Sequence, residues 1–219
     1  MAMIGLIHST RVVIEPVHNV VVSSGADVEV IHVLDEGLLR ALKRVGKITE
    51  DITRWMTGMV QSVEREGADL AVVTCSSLSP CVNAIREIVN IPVLKIDEPM
   101  VEWAVKQANT IGLVMTNPTT EVPSKLLFEE VSQRLGKPVT VRSQLCSEAF
   151  LRLNQGDAEG HDEEVIRTVN ALLEDVDLVV LAQISIARVI DKLDEQTASR
   201  VLSSLNFLAP SIRDTLAHS

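Results

Sequence analysis

Two stretches of the chain, ADLAVVTCSS at residues 68–77 and VDLVVLAQIS at 176–185, lie over each other at an offset of 108. The overlay puts Asp69 on Asp177, Leu70 on Leu178, Cys75 on Gln183 and Ser77 on Ser185. IGLIHST (4–10) lies over IGLVMTN (111–117) at an offset of 107, and DEGLL (35–39) matches SEAFL (147–151) more weakly. Any two buried strands share Val and Leu, which can produce one such match by itself. Matches in the same order at a nearly constant offset point instead to an internal duplication, so the second half must repeat whatever the first half folds into.

The repeated half reads as α/β. Short apolar runs at 3–8, 28–34, 68–75, 91–96, 110–116, 138–144 and 176–183 have the length and Val/Ile/Leu content of buried strands. Between them the period changes. EDITRWMTGMVQSVEREG sets Ile52, Trp55, Met56, Met59, Val60 and Val63 on one helix face, with Gly67 as a stop. EEVIRTVNALLEDV does the same with Val165, Val169, Leu172 and Leu173. Strands alternating with helices predict two pseudo-symmetric lobes, each a mostly parallel sheet flanked by helices. The expected division is 1–97 plus a C-terminal helix at about 200–219 for the first lobe, and 98–199 for the second. Ligands in such sheets bind outside the carboxyl ends of the strands. Cys75 and Gln183 are therefore expected to face one another across a cleft. Trp55 and Trp103 fall on helix faces and read as core or dimer contacts.

Composition narrows the function. Net charge is −10, which disfavours a nucleic-acid or anionic-membrane surface. With no Tyr and few Phe or Trp, stacking on bases is not expected. No apolar run reaches the roughly 18 residues of a membrane span, and MAMIGLIHSTR lacks the pattern of a signal peptide. Three cysteines without a pairing pattern suit a reducing, cytoplasmic setting. There is no Cys-x-x-Cys pair, phosphate loop, dinucleotide fingerprint or zinc spacing, so neither cofactor nor metal is expected.

Cys75 is the residue with the most chemistry around it. It ends a strand and precedes Ser76, Ser77, Ser79 and Pro80, a turn expected to open a helix. Free amides there would favour a thiolate, lowering its pKa from about 8.5 toward 7. That gain is only about 2 kcal/mol, so donors aimed at a developing oxyanion must do more. The hydroxyls and amides of Ser76 and Ser77 are the right kind of group. The plain alternative is a buried, inert cysteine. Cys81, inside a helix, and Cys146, at a strand end, read as packing residues.

The segments VVTCSSLSP, IPVLKIDEPM and IGLVMTNPTTEVPS together resemble the aspartate/glutamate/hydantoin racemase superfamily, and the resemblance covers nearly the whole chain. It implies two α/β lobes with the active site between them, and no pyridoxal phosphate or metal. In that family each lobe supplies a cysteine, one removing and one returning a proton at the carbon next to a carboxylate. The first family cysteine maps onto Cys75, with Ser76 and Ser77 in the place of Asn and Thr. The N-terminal substrate loop maps onto His8, Ser9 and Thr10, and the carboxylate-binding turn onto Thr116, Thr119 and Thr120. The second cysteine is replaced by Gln183, followed by Ile184 and Ser185. Gln183 and Ser185 are accordingly counted with the substrate-binding set, Gln183 as a hydrogen-bond donor to a carboxylate or enolate.

The expected function is a cofactor-independent racemase or epimerase of a small amino or hydroxy acid, using Cys75. Loss of the second thiol keeps two other reactions open, a one-cysteine decarboxylase of a malonate-like acid and a maleate-type cis–trans isomerase. A non-catalytic small-acid sensor is the reading of a different class. The expected partner is a small carboxylate, with no nucleic acid or membrane, in a homodimer or higher homo-oligomer. Several polar residues are assigned more modestly. Asp35, in HVLDEGLL beside His32 and Glu36, reads as a helix cap; His161 and Asp162 read as an acid-rich helix start and not a metal site; Lys95 and Asp97 read as a strand end.

Overall fold

The computed structural model describes residues 1–25 and 27–218, and the chain divides into two compact units, Met1–Pro99 with Phe207–Ser219, and Met100–Asn206. The first unit runs β1 (Ala2–His8), α1 (Ile14–Val22), β2 (Val28–Leu34), α2 (Glu36–Val45), α3 (Glu50–Arg65), β3 (Leu70–Val73), α4 (Cys81–Arg86) and β4 (Val93–Lys95). Helix α5 (Glu98–Gln107) leads into the second unit, which continues with β5 (Thr110–Met115), α6 (Glu121–Leu135), β6 (Thr140–Leu145), α7 (Ser147–Asn154), α8 (Ala158–Leu173), β7 (Leu178–Leu181), α9 (Glu195–Ala198) and β8 (Val201–Ser203). Helix α10 (Leu205–Ala217) returns the chain to the first unit, which it re-enters at Phe207.

Each unit holds a four-stranded parallel sheet, and the strand orders β2-β1-β3-β4 and β6-β5-β7-β8 are the same. The inner strands read as continuous apolar runs because both faces are covered: β3 and the second half of β1 are wholly buried. On the outer strand β6, TVRSQL is nowhere fully buried and its exposure alternates along the strand, as an edge does.

Matched residues do matched work in the two sheets. The Asp69 carboxylate accepts the Met3 N–H, and the Asp177 carboxylate accepts the Asn109 and Thr110 N–H groups. Gly5 and Gly112 keep the central strands bare where side chains press in. A Cβ on Gly5 would lie 2.5 Å from Val63 Cγ2, and one on Gly112 would lie 3.1 Å from Val179 Cγ2. The weaker match of DEGLL to SEAFL is out of step by one. The Asp35 N–H bonds the His8 carbonyl, and its structural counterpart, bonding the Met115 carbonyl, is the N–H of Cys146.

Asp35 does cap α2: one carboxylate oxygen accepts the Gly37 N–H at 2.8 Å and the other accepts the Trp55 indole N–H at 2.9 Å. That second bond holds Trp55 at the surface, 42% exposed, and Trp103 is also partly exposed, so neither is a core residue. No helix among the described residues is long and apolar enough to cross a membrane.

Candidate functional site

The carboxyl ends of β1, β3 and β4 bring His8, Ser9, Thr74, Cys75 and Asp97 into one neighbourhood of the first unit. Parallel pairing aligns Ile7 with Val73 and Val73 with Lys95. The pairing extends one step further, since the Ile96 N–H bonds the Val73 carbonyl. Asp97 therefore leaves its strand at the level where Thr74 and Cys75 leave theirs.

Cys75 precedes a single 3-10 turn, Ser76–Leu78, and the expected helix, α4, opens at Cys81 directly after Pro80. The sulfur is approached by the Ser77 and Leu78 amides and by the Ser9 hydroxyl, all of which favour the thiolate. Burial outweighs them, with the charge of Asp97 adding to it, and the thiol pKa is raised instead of lowered. The sequence expectation of a depressed pKa is thus reversed, because the amides come from one short turn and the enclosing protein removes water. Cys75 is nevertheless the one cysteine with partial exposure; Cys81 and Cys146 are buried. Ser9 Oγ is buried, and close to the sulfur as it is, it completes a full hydrogen-bond geometry with no group among the described residues.

Asp97 is 6% exposed, and its Oδ1 accepts the Ser76 hydroxyl at 3.1 Å. Ser79 Oγ leans toward the same carboxylate and helps its charged form without closing a good bond. Lys95, itself buried, favours the ionised form from the same strand. Burial is the larger effect and pushes the carboxyl up to about 6.

Behind Cys75 runs a chain of histidines that sequence spacing did not reveal. His8 Nδ1 lies 2.9 Å from Thr74 Oγ1, His8 Nε2 lies 2.9 Å from His32 Nδ1, and His32 Nε2 lies 3.0 Å from His18 Nδ1. The Thr74 hydroxyl donates to the Ile7 carbonyl, so it must accept from His8. Working outward, each ring donates from its Nδ1, and every bond points the same way. His8, 1% exposed, is kept neutral by burial and by His32, its pKa lowered to about 4. Both its ring nitrogens are used inside the unit. The three rings form a line and not a cage, and among the described residues no three His, Cys, Asp or Glu side chains are grouped to hold a metal ion.

In the second unit the end of β7 meets the end of β5. Gln183 Oε1 accepts three donors, the Thr116 N–H at 2.7 Å, the Asn117 N–H at 3.1 Å and the Thr116 hydroxyl at 3.2 Å. The Thr119 hydroxyl and amide both donate to the Asn117 side chain. Thr120 is buried and Ser185 is half-buried, its carbonyl accepting from Arg188. The carbonyl of Gln183 thus closes the turn that the sequence suggested for a carboxylate. Nearby, the buried Asp162 carboxylate gathers Arg188, Lys192 and His161, which hold its pKa far below the ordinary range despite burial. This knot joins the start of α8 to the turn after β7, and nothing in the sequence spacing signalled it. A cavity of about 220 Å³ lies between α6 and the start of β6, lined by Lys125, Phe128, Glu129, Ser132, Val139 and Val141, none of them a predicted site residue.

Two α/β units with the same parallel strand order, the first carrying a half-buried cysteine just past the end of β3, define a two-unit α/β protein. The chain belongs to the Asp/Glu/Hydantoin racemase family, whose profile matches residues 7–211. Its fold is similar to that of an aspartate racemase from Picrophilus torridus, at 13% identity and a TM-score of 0.74, covering 99% of this chain and 95% of that one. It is similar also to an allantoin racemase from Klebsiella pneumoniae (17% identity, TM-score 0.71, 99% and 88% covered). A glutamate racemase from Bacillus anthracis gives 16% identity and a TM-score of 0.75, with 99% and 82% covered. No curated protein matched the sequence.

Proposed function

We propose that this chain is a cofactor-independent isomerase, a racemase or epimerase of a small amino or hydroxy acid, in which Cys75 transfers the proton at the carbon next to a carboxylate. The observation that carries the reading is the setting of Cys75: a partly exposed thiol at a strand end, with two amides and Ser9 directed at its sulfur. Family membership supports the reaction class. Ser9 and the Ser77 amide approach the sulfur within the same unit, and Ser76 follows it in the turn.

A second reading is favoured by one feature. Gln183, the counterpart of Cys75, has an amide that cannot relay a proton at carbon, and its oxygen is committed to Thr116 and Asn117. A raised thiol pKa also makes Cys75 a proton donor at rest. Both suit a one-sided reaction, decarboxylation of a malonate-like acid with protonation of one enolate face. Proton NMR in deuterium oxide with amino acids, hydroxy acids and malonates separates the readings. Deuterium entering both enantiomers supports the racemase; loss of CO₂ with deuterium in a single product enantiomer supports the decarboxylase. Binding without exchange, unaffected by Cys75→Ser, would leave only a small-acid sensor.

A further inference from the structure

We infer that Asp97 is a positioning residue for Cys75: its buried carboxylate, anchored to the thiol turn through Ser76, sets a negative charge beside the sulfur and, together with burial, opposes formation of the thiolate. This rests on the reading of Cys75 as the reacting thiol, but it concerns a resting property that can be measured without a substrate.

Three observations converge. The extended pairing of β4 with β3 delivers Asp97 to the level of Cys75. The Ser76 hydroxyl, on the residue next to the cysteine, donates to Asp97 Oδ1 at 3.1 Å, so the carboxylate and the thiol turn share one anchor. Asp97 is 6% exposed, so water does little to screen its charge from the sulfur. The groups facing the pair are few. Lys95 on β4 and the hydroxyls of Ser76 and Ser79 favour the charged carboxylate. Ser9 and the amides of Ser77 and Leu78 favour the thiolate, and the Cys81 thiol senses Cys75 as a neighbour. Asp97 is the negative group that opposes ionisation of the thiol. Burial raises the Asp97 carboxyl to about 6, so at neutral pH the carboxylate is charged and faces a thiol that has not yet ionised. The consequence is directional. A thiol held protonated enters the reaction as the acid and must be returned to that state after each turnover.

The test is the pH profile of Cys75 alkylation by iodoacetamide in the full chain, with the modified cysteine located by mass spectrometry. Asp97→Asn, which keeps the acceptor for Ser76, should shift the profile down by at least about one pH unit, roughly tenfold faster alkylation at pH 7. Asp97→Glu should restore most of the native midpoint. Asp51→Asn, which removes an exposed charge on α3, should leave it unmoved. The native protein provides a check that needs no variant. The logarithm of its alkylation rate should rise with pH, flatten above about pH 6 as Asp97 ionises, and rise again. An Asp97→Asn midpoint equal to or above the native one in a folded protein, or a native profile of constant unit slope through pH 6, overturns the assignment. Failure of the deuterium-exchange assay with an intact Asp97 effect would instead reject the proposed reaction and leave the coupling standing.

Discussion

Acidification should expose two opposing terms in the stability of the first unit. His8 is neutral in the fold with its pKa lowered to about 4, against an ordinary value of 6.5. Between those values the unfolded chain binds a proton that the folded chain refuses, so stability is complete above pH 6.5 and is lost as pH falls toward 4. At roughly 1.4 kcal/mol per pKa unit the loss reaches about 3 kcal/mol. His32, its pKa lowered by burial and by His18, acts in the same direction. Asp97 acts oppositely. Its carboxyl is raised from 3.8 to about 6, so the folded chain holds a proton that the unfolded chain releases. Its contribution is complete below pH 3.8 and is lost as pH rises through 6, again about 3 kcal/mol. The native curve should therefore fall only gently between pH 6.5 and 4.5, the loss from the histidines being partly offset by Asp97. His8→Asn, which can still donate to Thr74, should gain stability on acidification over that window, whereas Asp97→Asn should lose it. Urea unfolding at half-unit pH steps, compared as differences from the native protein, isolates each term. Asp162, whose pKa lies far below the ordinary carboxylate range, keeps its contribution until the pH falls below the ordinary value and cancels in the differences. Parallel curves for the native protein and His8→Asn would show that His8 is not a neutral buried ring, and the tautomer chain would fall with it.

Other substitutions test the site and its frame. Cys75→Ser should cut turnover by about a thousandfold with the fold intact, while Cys81→Ala and Cys146→Ala retain most activity in steady-state assays. Gln183→Ala strips the turn of the oxygen that takes three donors and should cost about 1–3 kcal/mol in denaturant unfolding. Gly5→Ala must push Val63 aside and should lose about 1–3 kcal/mol. Gly58→Ala, inside α3 with open space at its Cβ, should gain about 0.5–1 kcal/mol by the same measurement.

The division between what could and could not be read in advance follows the range of the forces. Periodicity is local, so β1 to β7, the helices α3 and α8 and the cap at Asp35 were legible, whereas the three-residue β8 was read as the start of the C-terminal helix because so short a strand shows no period. The repeated sheet was legible for the same reason, because Asp69 and Asp177 recur with their strands. The third repeat match slipped by one, since a loop of different length restores the register only through the bonds of Asp35 and Cys146 to the neighbouring strands. Trp55, read as a core or dimer contact, is not in the core, because helix periodicity gives a face but not what covers it. The histidine line joins residues 24 and 14 positions apart, with Thr74 a further 66 positions from His8, and no spacing rule connects them.

By itself the sequence determined the α/β class and the placement of Cys75 and Gln183 just past equivalent strands of the two sheets. These are properties of residue order, and residue order is what hydrophobic period reports. Tertiary structure alone decided the ionisation of the site. Ser76 and Asp97 are 21 positions apart, and only parallel pairing of β3 with β4 makes them neighbours. Desolvation and Coulomb energy depend on distance through space and on how much water the fold leaves behind. A cysteine that reads as an activated thiolate from its flanking residues is, in the fold, a thiol whose ionisation burial opposes.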